Sequence, residues 1–135
     1  MIALRQSPVM FDEAAHRYWL GEKELHGITS TLVNRVFPFE KDYGDVDKET
    51  LKRAADRGHA VHAAIQRFED EGEFSAIPEL EEYATIKERE GLQHVASEYI
   101  VSDEKTYASA IDLVMVDRMG EIVLADIKTT YSRHY

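Results

Sequence analysis

The chain has 135 residues, of which 44% are hydrophobic and 31% charged, and its formal net charge is −10. This composition is typical of a globular protein, and the length fits one domain, residues 1–135, with its own core. The absence of cysteine excludes disulfides, thiolate zinc sites, iron–sulfur clusters and a cysteine nucleophile. No apolar run approaches bilayer length, so no membrane partner is expected, and a reducing cytoplasm is the expected compartment. The acidic balance argues mildly against DNA as a partner but suits a site for divalent cations.

The N-terminal part of the chain predicts a β-hairpin or short meander followed by a short helix. Apolar and polar residues alternate in "VMFDEAAHRYWLGEKELHGIT", residues 9–29, and "GEK" at 21–23 predicts the turn. The next stretch, "STLVNRVF", predicts a helix that is capped by Thr29 or Ser30 and stops before Pro38.

Two longer helices and three strands follow. One helix is predicted from Asp47 to Asp70, with Gly72 after it, and the other from Pro78 to Glu90, with Gly91 at its C-terminal cap. The first helix carries residues at spacings of three and four that predict one apolar stripe: Leu51, Ala54, Ala55, Gly58, His62 and Ile65. Strands are predicted at 94–103, 106–116 and 121–130. The predicted fold is α+β: an antiparallel three-strand meander flanked by helices, with an N-terminal β-hairpin.

Two acids interrupt apolar rows on neighbouring predicted strands. If Gly120 takes the left-handed position of a three-residue loop, Asp117 pairs with Glu121 and Asp112 lies directly opposite Asp126. Directly opposed Cβ atoms are about 5 Å apart, and two ionised carboxylates at that distance repel each other. A Mg²⁺ or Mn²⁺ ion bound between them would remove the repulsion.

Three further side chains could join this pair, and each has a structural alternative. Lys128 shares a strand face with Asp126 and could orient water or stabilise negative charge, or the two could form a surface ion pair. His62 could be a metal ligand or a hydrogen-bonded core histidine. Glu98 could complete the metal shell or be an exposed strand acid.

Four segments together resemble the PD-(D/E)xK nuclease superfamily, and most closely its RecB-like exonuclease branch, which includes many phage and prophage proteins. They are "RGHAVHAAIQ" (57–66), "SEYIV" (97–101), "YASAIDLVMV" (107–116) and "IVLADIKTT" (122–130). In that branch a G-x-x-x-H helix precedes an acid-bearing strand, a strand with the metal aspartate, and D/E-x-K followed by Thr. The opening residues 11–32 also look like the N-terminal hairpin and helix of phage members.

The resemblance implies a restriction-endonuclease-like core that hydrolyses DNA phosphodiesters, commonly from DNA ends. It implies that His62, Asp112, Asp126 and the main-chain carbonyl of Ile127 ligate Mg²⁺ or Mn²⁺. Lys128 would position or activate the attacking water, and Glu98 would be an accessory acid.

The sequence departs from the family at three places. Ile111 stands where the family has proline, Ser109 stands where it usually has glycine, and the helix with Q-x-x-x-Y that follows the D-x-K strand is missing. The chain is therefore expected to be either a truncated piece of a longer nuclease or a naturally short remnant. In both cases the third strand would have an unpaired edge and an uncovered apolar face, which predicts self-association.

Two other functions remain open at this point. The first is a non-catalytic nucleic-acid-binding or assembly module on a nuclease fold, since a fold does not fix an activity. The second is a small structural protein. The candidate phosphate contacts are Lys52, Arg53, Arg57 and Arg67, for which an ordinary solvated helix face is the alternative.

Overall fold

The computed structural model of the chain describes residues 4–29, 34–36 and 47–129, with the side chain of Asn34 left out. The fold is α+β. The described chain forms two compact units: one draws on residues 1–45 and 98–111, the other on residues 46–97 and 112–135. In the described part, no helix is both long and apolar enough to cross a membrane.

The predicted elements agree with the structure in type and order. They are β1 (Met10–Asp12), β2 (Arg17–Leu20), β3 (Lys23–Gly27), α1 (Asn34–Val36), α2 (Lys48–Glu71), α3 (Pro78–Glu90), β4 (Gln93–Ser102), β5 (Tyr107–Val116) and β6 (Ile122–Ala125). The proposed cap at Ser30 and the stop before Pro38 lie outside the described residues. The strands β4 and β5 are neighbours, and each passes from one unit to the other.

The first unit contains the N-terminal meander β1–β2–β3, whose pairings are antiparallel. Gly21, with φ +62°, makes the turn between β2 and β3. β3 then pairs in parallel with the start of β5, where His26 lies opposite Tyr107. The predicted hairpin and meander did not include this parallel pairing, because it joins segments that are far apart in sequence. The core of this unit consists of Val9, Tyr18, Leu25 and Ala108.

The turn between β4 and β5 is held by one carboxylate. Asp103 Oδ1 accepts hydrogen bonds of 2.9–3.0 Å from the main-chain N–H groups of Thr106, Tyr107 and Lys105. These bonds lower the pKa of Asp103 from its ordinary 3.8 to about 2, because they stabilise the ionised form.

Replacing Asp103 with asparagine should lower the thermal stability of the protein at pH 7, since a neutral amide oxygen is a weaker acceptor. The pKa of Asp103 is lowered in the folded state. The contribution of Asp103 to folding stability is therefore present above pH 3.8 and disappears as the pH falls through about 2. Thermal melts at pH 7, 4, 3 and 2 should show the difference between the parent protein and Asp103→Asn shrinking over this interval. A difference that stays constant down to pH 2 would contradict this assignment.

The second unit contains both long helices, and their ends follow the predicted signals. Gly72 and Gly91 adopt left-handed conformations immediately after α2 and α3. The N–H groups of Gly91 and Leu92 donate to the carbonyls of Glu88 and Lys87, which closes the last turn of α3. Asp47 precedes α2 as predicted, but its side chain makes no bond to the helix main chain.

The predicted stripe of α2 is buried or half-buried except at one position. Ala55 is exposed, four of the other members are half-buried, and Ile65 is buried. The stripe did not include Val61 and Ala64, which are also buried. Val61 and Ile65 pack in one core cluster with side chains of α3 and β5: Leu80, Leu113 and Met115. The prediction is therefore wrong at Ala55 and missed the two buried residues beside the stripe.

A buried carboxylate links α2 to α3. The Glu69 side chain is only 4% exposed, and its Oε1 accepts hydrogen bonds from the Tyr83 hydroxyl (2.9 Å) and from Lys87 Nζ (2.6 Å). His94 Nδ1, on β4, lies 3.7 Å from Glu69 Oε2. Burial, together with the bond to Glu69, raises the pKa of Tyr83. Glu69, on α2, is thus the common partner of side chains on α3 and β4.

The β5–β6 hairpin has the predicted register. Val116 pairs with Ile122, and the ladder continues to Leu113 opposite Ala125. Gly120 has φ +81°, and the N–H of Asp117 donates to the carbonyl of Glu121 at 2.9 Å. The three-residue loop with glycine in the left-handed position is therefore confirmed.

β6 is shorter than predicted and ends at Ala125. The expectation of a strand through residue 130 is wrong, because the N–H of Ile127 donates to Asp112 Oδ2. On β6, Val123 and Ala125 pack on the core, whereas Ile122 and Leu124 are 51% and 62% exposed. Self-association through this exposed face or through the edge of β6 stays a prediction.

Candidate metal centre

The centre of the site is a pair of aspartates at the end of the β5–β6 ladder. Asp112 directly precedes Leu113, which pairs with Ala125, so the register of the ladder brings Asp112 to Asp126. Each of the two carboxyl groups affects the pKa of the other. The Asp112 side chain is 20% exposed and that of Asp126 is 62% exposed. Asp112 is therefore the more buried acid of the pair.

The pKa values of the two carboxyls are displaced in opposite directions. Burial and the contact with Asp126 raise the pKa of Asp112. The hydrogen bond from Asp112 lowers the pKa of Asp126, and the ammonium of Lys128 lowers it further. Ionised carboxylates this close repel each other, and a cation between them would relieve that repulsion.

The main-chain N–H and the carbonyl of Ile127 are each hydrogen-bonded to a side chain. Its N–H donates to Asp112 Oδ2 at 2.8 Å, and its carbonyl accepts a hydrogen bond from His62 Nε2, also at 2.8 Å. His62 Nδ1 lies 3.9 Å from Asp112 Oδ2. The segment after β6 is therefore positioned by side chains from α2 and β5 instead of by a strand ladder.

Lys128 lies next to the acids and is open to solvent. Its Nζ is 3.2 Å from Asp126 Oδ2, and its side chain is 80% exposed. An ion pair this exposed contributes little to stability. Its amine is therefore accessible to a bound anion.

The residue after Lys128 lies beside Gly58 of α2. A Cβ built at Gly58 would be 3.5 Å from Thr129 Oγ1, which is an ordinary contact distance. Close helix packing therefore does not require glycine at this position. Thr129, the threonine that follows D-x-K in the motif of the family resemblance, therefore lies against α2.

Five of the predicted site residues meet in the second unit: His62, Asp112, Asp126, Ile127 and Lys128. However, within residues 4–29, 34–36 and 47–129, no three or more His, Cys, Asp or Glu side chains are arranged to hold a metal ion. His62 and the Ile127 carbonyl, two of the predicted ligands, contact each other. The role of these residues as metal ligands stays a prediction.

Glu98 belongs to the first unit, and its role as an accessory acid stays a prediction. Its main chain has φ +46°, an unusual left-handed conformation within a strand. Burial raises the pKa of Tyr18, and the negative charge of Glu98 raises it further. Such a conformation in β4 costs free energy and is common near functional positions.

Two of the four candidate phosphate contacts on α2 already have acidic partners. Arg57 forms an ion pair with Glu79 of α3, and Arg53 forms one with Glu49 at 3.7 Å. Lys52 and Arg67 are exposed. The assignment of all four to nucleic-acid binding stays a prediction.

The fold defines this chain as an α+β protein with a mixed sheet, in which a two-aspartate cluster adjoins an exposed lysine. No protein-family model, curated protein or solved structure matches it. Its activity is therefore proposed from the chemistry of its own residues.

Proposed function

We propose that the protein is a divalent-metal-dependent deoxyribonuclease of the RecB-like exonuclease type with a restriction-endonuclease-like core. The observation that supports this most directly is the contact between the Asp112 and Asp126 carboxyls beside the Lys128 amine. Two neighbouring acids can hold a cation, and an exposed amine beside them can contact a phosphate. DNA is the proposed substrate, and cleavage from its ends is the proposed mode.

The donor set fits Mg²⁺ or Mn²⁺. Carboxylate oxygens of Asp112 and Asp126 and the carbonyl oxygen of Ile127 are hard ligands, and the imidazole of His62 is one that Mn²⁺ accepts. A dication held by both carboxylates would offset their mutual repulsion. When bound, such an ion activates water and neutralises the non-bridging phosphate oxygens.

The protein's own residues would supply orientation and charge. Asp112 holds the Ile127 N–H, so it fixes the segment on which Asp126 and Lys128 lie. Lys128 would place its ammonium against the scissile phosphate or the attacking water, where it stabilises the negative charge that develops. His62 holds the opposite side of the Ile127 residue through the carbonyl.

A second candidate function is a non-catalytic module that binds nucleic acid or supports assembly. The observation that favours it is the hydrogen bond between His62 and the Ile127 carbonyl. These two proposed metal ligands bind each other in the structure. In that case the cluster would only stabilise the end of the β5–β6 hairpin.

End-labelled linear DNA and closed circular DNA, incubated with Mg²⁺ or Mn²⁺, separate these functions. We expect metal-dependent release of nucleotides from the linear DNA, slower loss of the circle, and no cleavage by Asp126→Ala. Asp56→Ala, which removes an exposed acid of α2, is the matched control and should cleave normally. DNA binding without cleavage in the parent protein would favour the module, and the absence of both would overturn both proposals.

A further inference from the structure

One flank of α2 leads directly to the candidate metal centre. Lys48, Lys52, Ala55 and His59 follow one another at spacings of four, three and four, and His62 comes three residues later. Residues with this spacing lie along one line of a helix. The first four are exposed, and His62 contacts the Ile127 carbonyl of the site.

We propose that this flank, the 48–59 flank, is the surface along which one strand of the DNA backbone approaches the metal centre. This inference rests on the proposed function. Lys48, Lys52 and His59 would contact phosphates spaced along this strand, and the small side chain of Ala55 would let the backbone pass close to the helix. Phosphate contacts of this kind supply affinity and position the substrate without reading its sequence.

The charges of α2 support this flank over the others. Within the described part of the chain, neither Lys48 nor Lys52 forms an ion pair, so both ammonium groups are available to a phosphate. On the flank toward α3, by contrast, Arg57 is paired with Glu79. Arg53 lies next to Arg57 on the helix surface and is paired with Glu49.

The length of the 48–59 flank suits a short piece of single strand. From Lys48 to His62 the helix rises about 21 Å at 1.5 Å per residue. Phosphates follow one another at about 3.4 Å along the axis of a duplex strand, so this distance corresponds to roughly six nucleotides. The flank would thus hold the segment that leads to the scissile phosphate, with Lys128 at its end.

Binding can be measured apart from cleavage in the Asp126→Ala background, in which the DNA stays intact. Fluorescence anisotropy with a labelled twelve-nucleotide strand, titrated at several salt concentrations, gives the dissociation constant and its salt dependence. We expect Lys52→Ala and Lys48→Ala each to weaken binding about fivefold or more at low salt. Each should also reduce the slope of log K against log salt by about 0.7, the value for one lost phosphate contact on a single strand.

Lys105→Ala is the control, because it removes one exposed positive charge outside the 48–59 flank. We expect it to change the dissociation constant less than twofold, and thermal melts should show all three variants folded. Equal weakening by Lys52→Ala and Lys105→Ala would overturn this inference, as would unchanged binding in Lys48→Ala and Lys52→Ala. If the strand binds along the 48–59 flank but the parent protein never cleaves, the proposed activity fails and this inference stands. No DNA binding at all would overturn both.

Discussion

Replacing Lys128 with methionine should reduce metal-dependent DNA hydrolysis about 10²- to 10³-fold, the usual effect of losing one group that stabilises transition-state charge. Methionine keeps much of the length of the side chain and removes only the ammonium. Single-turnover rates with Mn²⁺ and end-labelled DNA measure the effect. A rate within threefold of the parent protein would contradict a catalytic role for Lys128.

The same variant should fold normally and bind Mn²⁺ about as well as the parent protein. The ion pair between Lys128 and Asp126 is exposed, so its removal should cost less than about 1 kcal/mol. Titration calorimetry with Mn²⁺ and thermal melts separate a catalytic effect from a loss of metal or of structure. Lys128→Arg is the control for charge: it keeps the cation but changes its shape, so it should recover only part of the rate.

Replacing Glu69 with alanine should lower the free energy of unfolding by about 3 kcal/mol, the lower end of the range for breaking a buried ion pair. The carboxylate is almost fully buried, and both Lys87 and Tyr83 would lose their hydrogen-bond partner. The lower end applies because the Lys87 side chain is still 25% exposed and can turn to water. Urea denaturation at pH 7 measures the change.

Glu82→Ala is the control for this prediction, since Glu82 is an exposed acid of the neighbouring helix. We expect it to change stability by less than about 0.5 kcal/mol, as is usual for surface substitutions. If Glu69→Ala has an equally small effect, the Glu69 cluster does not stabilise the second unit. Lys87→Met in the Glu69→Ala background should recover part of the loss, because it removes the ammonium left without a partner.

The parts of the fold that local chemistry decides could be predicted from the sequence. Gly120 needs a left-handed conformation, which fixes the loop length and hence the register that brings Asp112 to Asp126. Pro78 and Gly91 mark the ends of α3 because one suits a first turn and the other a C-terminal cap. These signals act over a few residues, so no knowledge of the partner elements is needed.

The parts that distant contacts decide could not be predicted. The end of β6 depends on Asp112, fifteen residues earlier, which takes the Ile127 N–H. The exposed side of β6 was ambiguous because both of its faces are apolar, with Leu124 on one and Val123 on the other. Likewise, Arg57 could be identified as a cation, but its pairing with Glu79 depends on how α3 packs on α2.

The two hydrogen bonds at Ile127 link the chemistry of the site to the assembly of the second unit. One partner, His62, comes from the middle of a long helix, and the other, Asp112, comes from a strand far along the chain. The D-x-K segment therefore acquires its shape only after helix and hairpin have docked. In the proposed nuclease, Asp126 and Lys128 would thus reach their working positions only once the second unit has folded.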